Sequence, residues 1–548
     1  MATVYVNNKP VDIGNEKLNL IEAADMAGVF IPRYCWHPAL SVVASCRMCL
    51  VEAGDKKPDG SVVMQPRVVP ACQTPAKDGT VVLTDSPRAK QAQQQTLEDL
   101  LLNHPLDCPV CDKAGECMLQ DFSYRFGKAE SRMVDDKNHP PNKDYIGEHI
   151  TLFADRCIMC SRCVRFTREI AGTAELMVNS RGHHAEIDIF PGEPVNNKLA
   201  GNVVDLCPVG ALCSKDFLYK QRVWFLKEQK SVCPECSTGC SIHLEHNKDI
   251  VYRLRPRDNP LAQGHFMCDE GRFDYAYIND RGRLSEPLVM NQGKQAPSPW
   301  EKTLPLLRED LLKAVAGKPG AVAAVLSPYL TVEEGYLLAK LFKGMSKDCR
   351  LLLGWVPTLG EDDHFPKDRK GEHAVGTVKF TIRAEKCPNR IGIEKILEHF
   401  QGEVQTLDKA LKGRADWQAL YITAGYPPRL GSWLSDETAT VLKKVPLLVV
   451  QDLFASPASA LARYVLPSAT FAEKDGCFVN HAGLAQAIHW GVRPERFAKT
   501  DGQVFLDLAE RRGLLHAETI RKELAAEIPF FAKLAAGDLG EHGVRLGA

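Results

Sequence analysis

RYCWHPALSVVASCRMCLVEA, residues Arg33 to Ala53, sets three cysteines on one short stretch, Cys35-x10-Cys46-x2-Cys49, and a fourth, Cys72, follows after 22 intervening residues. What these thiols hold decides how the N-terminal half folds. The chain has 19 cysteines in 548 residues; sixteen precede residue 269, and Cys349, Cys387 and Cys477 are the others. A secreted disulfide framework suits short chains with a leader sequence. The N-terminus, MATVYVNNKPVDIG, shows no charged stretch followed by an apolar one, so folding in the cytoplasm is expected. Cytoplasmic cysteines in tight C-x2-C groups read as metal ligands.

Composition narrows the class further. The length allows about three to five domains. Hydrophobic residues make up 45% and charged residues 25%, and the net charge is −1, so no nucleic-acid or anionic-membrane surface is indicated. The most apolar runs, AVAAVL and VPLLVV, are strand-sized and fall well short of the roughly 18 residues that span a bilayer.

Three cysteines on one loop, with a fourth returning on another element, is the topology of a β-grasp [2Fe–2S] ferredoxin, although the first spacing exceeds the plant-type C-x4-C-x2-C. Zinc is the alternative, but zinc sites usually pair two C-x2-C knuckles and only one is present. A second group lies in NHPLDCPVCDKAGEC, giving His104-x3-Cys108-x2-Cys111-x5-Cys117. Three cysteines leave a [4Fe–4S] cubane one ligand short, and His104 supplies the missing one. A neutral imidazole in place of a thiolate leaves the cluster less negative, which should raise its potential.

The third group is DRCIMCSRCVRFTRE with a distant DLCPVGA, that is Cys157, Cys160, Cys163 and Cys207-Pro208. Two-cluster ferredoxins carry C-x2-C-x2-C-x3-C-P twice, the fourth cysteine of each run serving the other cluster. Here the matching positions of the partner cluster are Thr167, Asn197, Ala200 and Val203, so one [4Fe–4S] cluster survives and its twin has no ligands. Cys213 is left over and expected to be buried. The fourth group, Cys233-x2-Cys236-x3-Cys240-x27-Cys268, has a different step and reads as a separate [4Fe–4S] module, with zinc again the alternative.

These groups divide the chain. Residues 1–82 read as the β-grasp domain, with a hairpin turning at Asn7-Asn8 and a helix ending at Gly28. Residues 83–144 form a helical segment carrying the His and three Cys ligands, 145–222 a ferredoxin-like module after the linker KNHPPNKDYIG, and 223–282 the fourth module. The fold class is thus α+β for the N-terminal half. From 283 to 548 the pattern alternates strands such as AVAAVL, ALYITA and PLLVVQ with a helix that Thr331 and Glu334 cap, an α/β region with a mainly parallel sheet. Neither Gly-x-Gly-x-x-Gly nor Gly-x4-Gly-Lys-Ser/Thr occurs.

The order of these modules resembles the multi-cluster iron–sulfur subunit family in the peripheral arm of bacterial NADH–quinone oxidoreductase, respiratory complex I. The stretches TVEEGYLLAKLFK and LPSATFAEKDGCFVN are similar to the molybdopterin oxidoreductase superfamily, and that region looks truncated. The resemblance implies an electron-transfer subunit of a translocase, with no substrate site of its own. NADH would reduce FMN on a flavoprotein partner, and single electrons would pass through the first three cluster types here to quinone-module subunits. The fourth cluster would lie off that route. One [2Fe–2S] and three [4Fe–4S] clusters are implied. Cys349, Cys387 and Cys477 match no molybdenum-ligand context, so no molybdopterin is expected. The location implied is peripheral, on the cytoplasmic face of the cell membrane, associated indirectly with a membrane arm. Alternatives are the large subunit of an NAD-linked molybdenum formate dehydrogenase, the electron-transfer subunit of a soluble NAD-reducing hydrogenase, and a zinc scaffold.

Overall fold

Asn7 and Asn8 adopt φ of 46° and 68°, the left-handed pair a two-residue hairpin needs and asparagine tolerates. They join β1 (Ala2–Val6) to β2 (Lys9–Gly14) in an antiparallel pair. Helix α1 (Leu20–Met26) follows, with Asn19 and Glu22 forming a reciprocal capping box. β3 (Leu50–Lys56), β4 (Val62–Met64), β5 (Val69–Pro70) and β6 (Thr80–Leu83) complete a sheet ordered β2-β1-β6-β3-β4, with β5 on β3. The two central strands, β1 and β6, run parallel. Their inner face buries Val4, Val6, Leu20, Ile21, Ile31, Val51 and Val82, and Cys49 and Cys72 belong to the same core.

The structure is a computed structural model describing residues 2–368, 370–374, 376–413 and 416–547. It comprises two units, Met1–Phe225 with Phe365–Lys379, and Leu226–His364 with Phe380–Ala548. In the first unit, Ser86 caps helix α2 (Pro87–Leu101) by accepting from Ala89 N, and helix α3 (Met118–Phe126) starts directly after Cys117. An antiparallel ladder between Ile150–Leu152 and Leu212–Ser214 closes the segment between them, which returns Cys207 toward Cys157–Cys163. The short helix α4 (Arg162–Phe166) begins within that cysteine run. Residues 365–379 join this unit through Lys367, whose N–H donates to Ala171 O at 2.8 Å. Gly172 permits the approach: its φ is 82°, and a Cβ there would collide with the Lys367 backbone.

The second unit opens with a three-stranded antiparallel sheet, Lys227–Val232, Ser241–Asn247 and Ile250–Pro256. Its larger sheet has seven strands. Five run parallel, in spatial order Tyr464–Pro467, Leu447–Asp452, Ala419–Thr423, Val322–Leu326, Arg350–Leu353. An antiparallel hairpin, Leu288–Asn291 and Lys294–Pro297, extends one edge. Side chains alternate between two cores: Ala324, Leu326, Tyr421 and Val449 face one, Ala323, Val325, Ile422 and Val450 the other. Burial on both faces is why AVAAVL and PLLVVQ read as unbroken apolar runs.

The two stretches that carry the molybdopterin likeness meet inside this unit. Thr331 and Glu334 form the expected capping box, and Glu334 also accepts from Lys474 Nζ at 2.8 Å. Asp501 is the other partner of that lysine at 3.3 Å, and Cys477 N donates to Glu333 at 2.8 Å. Arg283 pairs with Glu473 through two hydrogen bonds of 2.8 and 2.6 Å, both residues 4% exposed. Removing one member of such a buried pair costs about 3–5 kcal/mol, because the other charge is stranded.

Candidate functional site

Three of the four ligand groups lie in the first unit. In the β-grasp domain, Cys49 immediately precedes β3 and Cys72 follows β5 by two residues, while Cys35 and Cys46 sit on the loop before them. Ala44 and Arg47 take φ of 52° and 58°, winding the loop around Cys46. Cys35, Cys49 and Cys72 are each 1% exposed, and Cys35 N donates to Cys46 Sγ at 3.5 Å. Hydrogen bonds among the four thiols hold Cys35 and Cys49 below the ordinary thiol range and push Cys46 and Cys72 above it. All four predicted residues therefore converge.

At the second group, His104, Cys108 and Cys117 line one open pocket with Leu101, Leu119 and Tyr124. Cys111 is buried beside it; its thiol points at Gly210, where a Cβ would overlap the sulfur. The charge of Cys111 is felt at Cys117, and that of Cys108 at Cys111. His104 Nδ1 is buried with no hydrogen-bond partner, and burial pulls the imidazole pKa down to about 4. A neutral ring with an unused nitrogen inside a thiol-lined pocket fits a metal ligand. His104→Cys should retain the cluster and lower its potential, since a thiolate adds negative charge, whereas His104→Ala should labilise it. Redox-titrated EPR checks both; unchanged signal and potential in the two variants would exclude His104 as a ligand.

In the third group, Met159 and Ser161 adopt φ of 51° and 56°, which turns the chain between successive cysteines. Cys157, Cys160, Cys163 and Cys207 all line one small apolar pocket with Leu152, Ile158, Ile187 and Leu212. Burial pushes the Cys160 thiol up to about 11, and Cys157 and Cys163 rise as well, each thiol also opposed by the others' charge. Thiols so placed become anionic only with a cation to share. Thr167, Ala200 and Val203, which stand where a twin cluster's ligands would, are packed in the interior at 0%, 1% and 0% exposure. Asn197 donates to Glu175 at 3.1 Å instead. Cys213 is buried as expected, its thiol 3.6 Å from Gly210 O.

The fourth group lies in the second unit. Cys233, Cys236, Cys240 and Cys268 are buried, and Cys233 N donates to Cys240 O at 2.8 Å. Cys268 caps the helix Asp269–Phe273, its sulfur accepting from Gly271 N at 3.5 Å. A Cβ at Gly271 would stand 2.7 Å from Cys233 Sγ, so glycine keeps this cradle open. Among the described residues no three His, Cys, Asp or Glu side chains are disposed to hold a single metal ion. The donor sets suit polynuclear clusters, in which the ligands are shared among two or four irons.

The three centres of the first unit are joined in an order the sequence does not follow. The Arg165 guanidinium bonds to both Cys35 O and Cys160 O, linking the first centre to the third. Met118 N donates to Pro208 O at 3.0 Å, and Cys111 abuts Gly210, linking the third to the second. Spacing arguments missed Arg165; its one sequence signal is that it follows the last cysteine of CIMCSRCVR by two residues.

Five family profiles match in series. They are described as a 2Fe-2S iron-sulfur cluster binding domain (1–87), an NADH-ubiquinone oxidoreductase-G iron-sulfur binding region (93–132) and an NADH-quinone oxidoreductase subunit 3 ferredoxin-like domain (147–213). A molybdopterin oxidoreductase Fe4S4 domain (226–280) and a molybdopterin oxidoreductase domain (416–511) follow. Fold and site together define a multi-centre iron–sulfur protein of electron transfer. The chain is 28% identical to the NADH-quinone oxidoreductase G subunit of Rickettsia bellii over 97% of its own length and 90% of that protein. It is 34% identical to the mitochondrial NADH dehydrogenase [ubiquinone] iron-sulfur protein 1 of Solanum tuberosum, over 65% of this chain and 50% of that one. A crystal structure of an NAD+-reducing [NiFe]-hydrogenase aligns over 40% of this chain and 91% of its own, with 27% identity and a TM-score of 0.36. The chain is thus similar along nearly its whole length to NADH-quinone oxidoreductase G subunits.

Proposed function

We propose that this chain carries single electrons from the FMN of a flavoprotein partner toward the quinone-reducing subunits of a respiratory complex I, a translocase. The observation that carries this reading is the unbroken contact between the three ligand sets of the first unit, first to third to second. The proposed ligands are Cys35, Cys46, Cys49 and Cys72 for a [2Fe–2S] cluster. Three [4Fe–4S] clusters take His104, Cys108, Cys111 and Cys117; Cys157, Cys160, Cys163 and Cys207; and Cys233, Cys236, Cys240 and Cys268. When bound, the clusters supply one-electron chemistry. The protein's part is to bury them, space them and fix the charge around them.

No substrate chemistry is assigned to this chain, and no molybdopterin. In open parallel sheets ligands bind outside the carboxyl ends of the strands, where strand order reverses. Here that point lies between Val322–Leu326 and Ala419–Thr423. Tyr329 and Tyr426, each three residues beyond its strand, pack there at 5.3 Å, and Trp355 meets Tyr426 edge to face at 5.4 Å. Their hydroxyls are spent on Lys386 O (2.6 Å) and Trp355 O (2.9 Å), which favours a filled crevice over a cofactor site. Cys349 and Cys477 are packed in the main apolar core of the α/β region, and Cys387 lies with Tyr329 and Tyr426 in the filled crevice. Among the described residues no helix is long and apolar enough to cross a membrane, and peripheral attachment at the cytoplasmic face, through partner subunits, completes the reading.

Anaerobically purified chain should contain about 14 iron atoms from one [2Fe–2S] and three [4Fe–4S] clusters, with matching sulfide and no molybdenum. Metal and acid-labile sulfide analysis on one sample tests this. About four zinc atoms without sulfide would replace it with a structural zinc protein, and stoichiometric molybdenum with a catalytic one.

A further inference from the structure

One arginine sits inside the third cysteine run and another two residues past its end, and both are buried, Arg162 at 8% and Arg165 at 3% exposure. Arg165 donates from Nη2 to Cys35 O (2.5 Å) and Cys160 O (3.2 Å), and from Nη1 to Ser41 O (2.5 Å). Arg162 donates from Nη2 to Trp36 O (2.7 Å) and from Nη1 to Leu206 O (3.3 Å), and Nη1 lies 4.0 Å from Met118 Sδ. Trp36, Leu206 and Met118 are the chain neighbours of Cys35, Cys207 and Cys117. One guanidinium thus touches a ligand-bearing segment of all three centres. The Nε–H groups of both arginines are buried without a partner.

The charge of these groups is uncompensated by the usual means. Among the described residues their contacts are main-chain oxygens and one thioether, and neither forms an ion pair with Asp or Glu. A guanidinium does not lose its proton in a protein, so a buried one needs negative charge nearby. The segments that the two guanidinium groups bond most directly, at Cys35, Trp36 and Cys160, carry ligands of the first and third centres, so the negative charge they face is that of those centres. Loop-holding alone would be served by uncharged donors.

We propose that Arg162 and Arg165 are the fixed counter-charges of the first and third centres, raising the potentials of both and keeping them matched for transfer. This rests on the cluster assignment above. Reduction adds one electron, hence one negative charge, to a centre while the guanidinium neither gains nor loses a proton. The cation therefore stabilises the reduced form more than the oxidised form.

The test is an EPR-monitored dithionite titration of the full chain, wild type against Arg162→Gln, Arg165→Gln and the corresponding lysine variants. Glutamine keeps N–H donors and removes the charge; lysine keeps the charge and loses the planar fork. Glutamine variants should titrate at more negative potentials at the first and third centres, with the fourth centre as internal reference, and lysine should restore them. Full cluster content with unmoved potentials in the glutamine variants would reduce both arginines to a structural role. Should the glutamine variants lose their clusters, the lysine variants decide: wild-type potentials support the fixed charge, and potentials lowered despite the retained charge overturn it. A wild-type chain with no iron and no EPR signal would overturn the cluster assignment and this inference with it, whereas clusters with unmoved potentials overturn the inference alone.

Discussion

Mixed anaerobically with NADH, the purified chain should keep the full visible absorption of its oxidised clusters, while dithionite bleaches the same sample within mixing time. Hydride carries two electrons, and an iron–sulfur cluster accepts one, so a flavin or equivalent must stand between them. On the relay reading that step belongs to a flavoprotein partner. A dinucleotide-binding sheet needs a glycine-rich turn after its first strand, so that the backbone can approach the pyrophosphate at a helix N-terminus. After Val322–Leu326 the turn here is Ser327-Pro328-Tyr329-Leu330-Thr331, with no glycine and a buried tyrosine where a phosphate would lie. Ferricyanide reduction by NADH should likewise be absent. Adding the flavoprotein partner should let NADH reduce the clusters, beginning at the centre of Cys35, Cys46, Cys49 and Cys72. Stopped-flow spectra with and without that partner measure both arms. Rapid bleaching by NADH alone would place a substrate site on this chain and end the relay reading.

What the sequence made legible was local. Hairpin, capping boxes and cysteine runs depend on residues within a few positions of one another, where backbone preference and spacing act directly. Asn7-Asn8, Thr331 with Glu334, and the C-x2-C groups are of this kind, and the hairpin turn and the capping box stand where expected. The order of the centres in space was not legible, because it is set by pairs far apart in the chain. Arg165 reaches Cys35 across 130 residues and Arg162 reaches Trp36 across 126. Neither contact has a periodicity to betray it. The return of residues 365–379 to the first unit is equally silent: it depends on the room left by Gly172, nearly 200 positions earlier. His104 was singled out for a different reason. The count of ligands was one short, and stoichiometry is a constraint that sequence does express.

Cys160→Ala and Cys236→Ala should separate route from scaffold. Cys160 lines the pocket of the middle centre, and Arg165 ties its carbonyl to that of Cys35. Losing that centre removes the stepping stone between the other two, and transfer across the widened gap slows steeply. Turnover of NADH–quinone oxidoreduction should fall by on the order of 100-fold or more, since even changes outside the ligand shell cost about 10–100-fold. The fourth centre is held differently. Its loop is bonded throughout to the α/β region of its own unit: Ser237 N to Glu385 O (2.9 Å), Thr238 Oγ1 to Thr381 O (3.0 Å), and Gln486 Nε2 to Gly239 O (2.7 Å). Arg429 clamps Glu235, and Lys386 clamps Glu270, at 2.6 and 2.8 Å. A cluster there cross-links a loop as structural zinc does, so Cys236→Ala should lower the yield of assembled complex. Each assembled complex should nevertheless keep most of its turnover. The measurement is NADH–quinone activity normalised to FMN content, with EPR confirming which signal each variant lacks. An equal loss per FMN in the two variants would put the fourth centre on the main route. A Cys236→Ala complex that turns over normally with its signal gone leaves that centre the work of holding the second unit together.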